Sequence, residues 1–184
     1  MERRELLKVI AATLVAGRRS EAHLHHADSF GALDVTSYQP RFFSQSQYRT
    51  IVCLCQIIVP SDDQSPGARE AGVPFFIDTK LLYGEPQERE AWLKGLAAVE
   101  QAATLQFHRS FLDCPPNEQD KIVEGMAGGE AHPASEAEKF FARLKRMTLE
   151  GYVLSEVGMR QYLGYKGNTA IGEFVGCTHP EHQH

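Results

Sequence analysis

The strongest constraint on this fold is its punctuation. Prolines, glycines and capping residues cut the chain into segments whose apolar residues recur every three or four positions, and no segment alternates as a strand would. The first helix is predicted from about Ser46 to Val59, with Ile51, Leu54, Cys55 and Ile58 on one face. Ser44 or Ser46 can cap it, and Pro60 stops it. Residues 61–67 are turn chemistry throughout, after which Ala68 to Ala71 make one short turn that Gly72 closes. Pro74 opens a helix through Phe75, Phe76 and Ile77 to Leu82, ended by Gly84. Pro86 opens the longest helix, with Glu85, Glu88 and Glu90 near its positive end. Trp92, Leu96, Val99, Ala103 and Phe107 form its packing seam, and Cys114-Pro115-Pro116 is its predicted stop.

A shorter helix follows from about Asn117 to Met126, halted at Gly128-Gly129. The last long helix starts at a capping box, Ser135 with Glu138 three residues on, and buries Phe140, Phe141, Leu144, Met147 and Tyr152. An all-α bundle of four to five helices over residues 44–160 is the natural solution. Residues 161–184 make an irregular C-terminal tail in which aromatics and glycines lack a helical period. Such a segment needs another surface to hold it, so Tyr162, Tyr165, Lys166, Asn168, Phe174 and His179 are the candidate partner interface.

The N-terminus reads as an address. Arg3-Arg4-Glu5-Leu6-Leu7-Lys8 precedes a short apolar stretch from Val9 to Ala16, the build of a secretory signal. The arginine pair narrows it to the twin-arginine kind, with Leu6 where Phe is usual. Residues 1–17 are therefore assigned as the signal and 18–43 as a linker. Both cleavage after Gly17 and retention of the signal remain open, because the apolar region is short and no clear small-x-small cleavage site follows. The competing reading is an amphipathic helix of a cytosolic domain. No apolar run approaches the roughly 20 residues needed to cross a bilayer.

Charge excludes one partner class. The formal net charge is −5, and the first 27 residues carry five cationic side chains against three anionic, which leaves −7 for the rest. An acidic body without a basic stripe argues against nucleic acid.

Chemistry-bearing residues are few. The chain has no G-x-G-x-x-G, phosphate-binding loop, G-x-S-x-G elbow or H-E-x-x-H. His108 could serve as a base, but a lone helical His without a nucleophile is ordinarily structural. Asp62 and Asp63 stand in a turn, where adjacent carboxylates face water or cap the next helix. His23, His25 and His26 fall in a polar segment without period. Cys177, His179, His182 and His184 are the one metal-like set, on an extended strip without a second ligand pair. A small exported metal- or redox-binding protein using this tail is the alternative function. In an oxidising compartment Cys177 would pair with Cys53, Cys55 or Cys114.

Taken together, several stretches resemble the gluconate 2-dehydrogenase subunit 3 family. They are Cys55-Gln-Ile-Ile-Val-Pro60-Ser-Asp62, Pro66-Gly67-Ala68-Arg69-Glu70-Ala71-Gly72-Val73 and Phe76-Ile77-Asp78, with Gly164-Tyr165-Lys166-Gly167-Asn168 and Gly176-Cys177-Thr178-His179-Pro180. The resemblance implies a non-catalytic small subunit of a membrane-associated sugar or polyol dehydrogenase. A partner catalytic subunit would hold FAD and oxidise the substrate, a cytochrome c subunit would often take the electrons, and this chain would hold no cofactor. The small subunit would supply the twin-arginine export signal and folding support, carrying both proteins to the periplasmic face of the inner membrane.

Overall fold

The computed structural model describes residues 38–63, 65–165 and 167. Five helices make up the body: α1 (Gln45–Ile58), α2 (Val73–Leu82), α3 (Pro86–Phe107), α4 (Pro116–Ala127) and α5 (Glu136–Leu154). A 3₁₀ turn (Phe111–Asp113) lies between α3 and α4, and a π-helical turn (Gly158–Tyr162) follows α5. No strand occurs among the described residues.

Local chemistry explains most boundaries. Of the two serines offered as caps for α1, Ser44 is used: its hydroxyl accepts from the Gln47 amide while the Gln47 side chain accepts from the Ser44 amide. The Ser135/Glu138 box closes α5 in the same reciprocal way. Proline at the first or second position opens α2, α3 and α4, where its missing N–H costs no helical bond.

One boundary differs from the sequence reading. The long helix does not run on to Cys114 but ends at Phe107, because His108 turns left-handed (φ 55°) and its amide bonds back to Thr104 O. The Phe111 amide then donates to the Glu100 carboxylate at 3.0 Å, folding the chain back along α3 and into the 3₁₀ turn. The Cys114-Pro115-Pro116 run instead opens α4, with Pro115 as its cap.

Helix α5 is the hub and packs against all four other helices. Its buried set includes the consecutive Met147, Thr148, Leu149 and then Gly151, Tyr152, Val153, so it is enclosed on more than the single face its periodicity suggests. Trp92 of α3 and Phe140 of α5, both fully buried, meet edge to face at 5.4 Å. Gly95 lets these two helices close: a Cβ there would fall 2.1 Å from the Phe140 ring.

Candidate functional site

Two polar assemblies stand out in the body, one at Asp78 and one in the loop between α1 and α2. Asp78 lies in the otherwise apolar first turns of α2 and is fully buried. Its carboxylate accepts four hydrogen bonds, all from residues 35 to 40 positions earlier. The Tyr38 hydroxyl and the Arg41 amide reach Oδ2 at 2.8 and 2.9 Å, and the Phe42 and Phe43 amides reach Oδ1 at 3.1 and 3.0 Å. A buried carboxylate is tolerated when its lone pairs are filled in this way, and each charge-assisted bond is worth about 1.5–3 kcal/mol. Residues 38–43, counted as linker from sequence, thus form a strap seated on α2. Aromatic contacts hold the strap as well: Tyr38 meets Tyr48 and Phe75 at 5.2 and 5.1 Å, and Phe43 faces Trp92 at 6.3 Å. The Arg89 guanidinium covers the Phe42 ring at 5.2 Å. Burial, then the hydrogen bond to Asp78 and its charge, push the Tyr38 hydroxyl up to about 12. Sequence reading missed the role of Asp78; its one signal was a lone acid within the apolar run from Val73 to Leu82.

The second assembly gives the P-S-D-x-x-x-P-G-A-R-E-A-G-V run a physical reading. Pro60 ends α1, and Asp62 accepts from the Ser65 amide at 2.8 Å to make a tight turn. Gly67 passes so close to the end of α1 that a Cβ would sit 2.6 Å from Ser61 N and 2.7 Å from Val59 O. Its amide is shared between Ser61 Oγ (3.0 Å) and Glu70 Oε2 (3.1 Å), and the Ser61 hydroxyl donates to the same Glu70 oxygen at 2.8 Å. Burial opposes the charge on Glu70, but the bonds from Ser61 and the backbone outweigh it and hold the carboxyl below its ordinary range. Ala68 is fully buried, and its amide closes the loop onto Val59 O at 2.8 Å. Gly72 then takes the left-handed conformation (φ 72°) that only glycine adopts freely, and Val73 enters the core. From α5, the Tyr152 hydroxyl donates to Pro66 O at 2.9 Å and ties the loop to the hub. Asp62 accordingly serves in the turn.

The remaining sequence candidates separate. His108 is exposed and serves as the left-handed cap of α3. Among the described residues Cys53, Cys55 and Cys114 are free thiols. Burial raises all three, Cys55 to about 12, so they stay protonated near neutral pH rather than acting as thiolates. Cys55 rests against the Thr148 hydroxyl at 3.5 Å, while the Cys53 thiol donates to Gln119 at 3.2 Å and joins α1 to α4. Tyr165 is 42% exposed, close in sequence to Leu163 (45%) and following Leu154 (60%) at the end of α5. The tail candidates Lys166, Asn168, Phe174, Cys177, His179, His182 and His184 lie outside the described residues, as do Arg3, Arg4, Leu6, Leu7 and Lys8 and the histidines at 23, 25 and 26. Tyr162 closes the π-helical turn.

A shallow cavity of about 210 Å³ opens between α1, α3 and the 3₁₀ turn, lined by Thr50, Leu93, Leu96, Glu100 and Leu112 among others. That is below the roughly 300 Å³ at which small-molecule pockets begin. Among the described residues no group of three or more His, Cys, Asp or Glu is placed to hold a metal, and no helix is long and apolar enough to cross a membrane.

These features define a small all-α bundle with an internally bonded polar loop and a latched N-terminal strap. The chain belongs to the gluconate 2-dehydrogenase subunit 3 family, whose model matches residues 45–172. That family is described as a subunit of a dehydrogenase complex, so association with such a complex is what membership implies. No curated protein and no solved structure matches the chain significantly.

Proposed function

We propose that this chain is the non-catalytic accessory subunit of a flavin-dependent sugar or polyol dehydrogenase, carrying the export address and supporting the fold of its catalytic partner. The observation that carries the reading is the family match across the whole helical body. The sequence upstream of that body adds the arginine pair Arg3-Arg4 before an apolar stretch. The buried polar residues Thr50, Asp78 and Thr148 are consistent with it, because each is engaged in holding the fold. Asp78 is filled by four donors, Thr148 meets Cys55, and the Thr50 hydroxyl donates to Ser46 O. FAD is assigned to the partner, a cytochrome c subunit is the electron acceptor, and the complex works at the periplasmic face of the inner membrane. Contact with the catalytic subunit is assigned to the exposed Leu154, Leu163 and Tyr165.

Co-expression with the catalytic subunit, followed by cell fractionation, tests the reading. Changing Arg3→Lys and Arg4→Lys together should strand both proteins in the cytoplasm. Export of the partner at the unmodified level would remove the escort function.

A further inference from the structure

The strap formed by residues 38–43 joins the 37 residues that carry the address to the helical body. Beside the aromatic contacts, its polar connection to that body is concentrated on one group. One fully buried carboxylate takes the Tyr38 hydroxyl and three consecutive backbone amides, those of Arg41, Phe42 and Phe43. The acceptor belongs to α2, so it stands in place only after α2 has packed against α1, α3 and α5. The strap is therefore held by tertiary structure and not by any helix of its own.

Arg41 makes the consequence concrete. Its side chain is exposed, as a trypsin-like protease requires, but its own amide and the next two are held by Asp78. Proteases take their substrates as locally unfolded, extended chain, so a bond in a seated segment is cut only as fast as that segment opens. A cut between Arg41 and Phe42 would separate the address from everything it is meant to carry.

We infer that Asp78 is a fold-dependent latch that keeps the junction between address and body seated on α2, and so keeps the two joined once the domain has folded. This rests on the export reading for its purpose, while the latch itself is a property of the folded domain. The latch needs a carboxylate. Asparagine would accept on one oxygen only and would turn an N–H₂ towards two of the four donors. Alanine would leave all four unmatched.

The test uses the full chain with Asp78→Asn, and with Tyr38→Phe as a milder variant that removes a single bond at the outer end of the strap. Limited trypsin digestion followed by mass spectrometry compares cleavage at Arg41–Phe42 with cleavage at Lys94–Gly95 in the middle of α3. Asp78→Asn should speed the first by about tenfold or more and leave the second unchanged, with Tyr38→Phe between it and the unmodified chain. In cells, the exported fraction of the Asp78→Asn chain and its partner should fall, with the cut body left in the cytoplasm wherever a cellular protease reaches the opened strap.

An unchanged rate at Arg41–Phe42 in both variants overturns the latch. So does a parallel rise at Lys94–Gly95, which would mark Asp78 as a contributor to global stability alone. An opened strap with export at the unmodified level overturns its purpose. If the Arg3→Lys/Arg4→Lys chain is itself exported normally, the export reading has failed instead, and the proteolysis alone decides the latch.

Discussion

Replacing Gly95 by alanine sets two effects of opposite sign against each other. Within a helix, alanine is favoured over glycine by about 0.8–1 kcal/mol, so propensity alone predicts a more stable protein. The packing predicts the reverse. A Cβ at position 95 would lie 2.1, 2.3 and 2.6 Å from Cδ2, Cγ and Cβ of Phe140, so the ring must back off by more than 1 Å to reach ordinary contact. Phe140 has little room to do so, being fully buried with Trp92 edge-on at 5.4 Å. Trp92 is itself held by its indole N–H, which donates to Glu88 at 3.0 Å. Forcing extra atoms into a filled core costs typically about 1–3 kcal/mol, and three Phe140 atoms inside contact distance, two of them in the ring, put this case at the upper end. The net expectation is a loss of about 2 kcal/mol. Urea unfolding followed by far-UV circular dichroism would register it as a midpoint lower by about 1 M, for an m-value near 2 kcal/mol per M. Phe140→Leu in the same background should recover part of the loss, with a coupling of about 1 kcal/mol or more between the two sites. A Gly95→Ala protein as stable as its parent, or additivity of the two changes, would refute the claim that this glycine exists to bring α3 and α5 together.

Two other outcomes follow from the geometry. At Gly67 the added methyl meets only backbone, Ser61 N at 2.6 Å and Val59 O at 2.7 Å, so Gly67→Ala should open the loop. It should cost about 2 kcal/mol or more and strip hydrogen-exchange protection from the Ala68 amide, whereas Gly125→Ala, with nothing within 4 Å, should stabilise α4 by about 0.5–1 kcal/mol. For Tyr38, the folded hydroxyl titrates at about 12 against an ordinary 10.0, so its stabilisation is complete below about pH 10 and is lost as the pH rises towards 12. The advantage of the unmodified chain over Tyr38→Phe, measured by thermal melts, should therefore shrink across that window; a difference independent of pH would contradict the assignment of the Tyr38–Asp78 bond.

Helix starts were the most legible part of the structure, because they depend on neighbours in the chain. Ser135 with Glu138, and Pro74 and Pro86, act within one helical turn, so residue type and spacing suffice to place them, whereas at α1 they left Ser44 and Ser46 both open as the cap. The family resemblance was legible for a related reason. Its most specific run is a loop whose glycines and small residues answer to backbone contacts made within some fifteen residues. The end of α3 was not legible, since Phe107 and His108 carry no stop signal and the turn is secured by Glu100 reaching the Phe111 amide. Nor could periodicity show that α5 is enclosed by four helices, because it reports one apolar stripe and not how many neighbours meet it.

The punctuation thus determined the all-α class and narrowed the helices to four or five, and the first eight residues by themselves suggested an address. Only tertiary structure decided that residues 38–43 are seated on α2. A carboxylate in α2 finds its four donors 35 to 40 residues away, and such a partnership exists only when packing excludes water from the space between them. Sequence spacing encodes bonds that close within a turn; bonds that close across the core are defined by the fold itself.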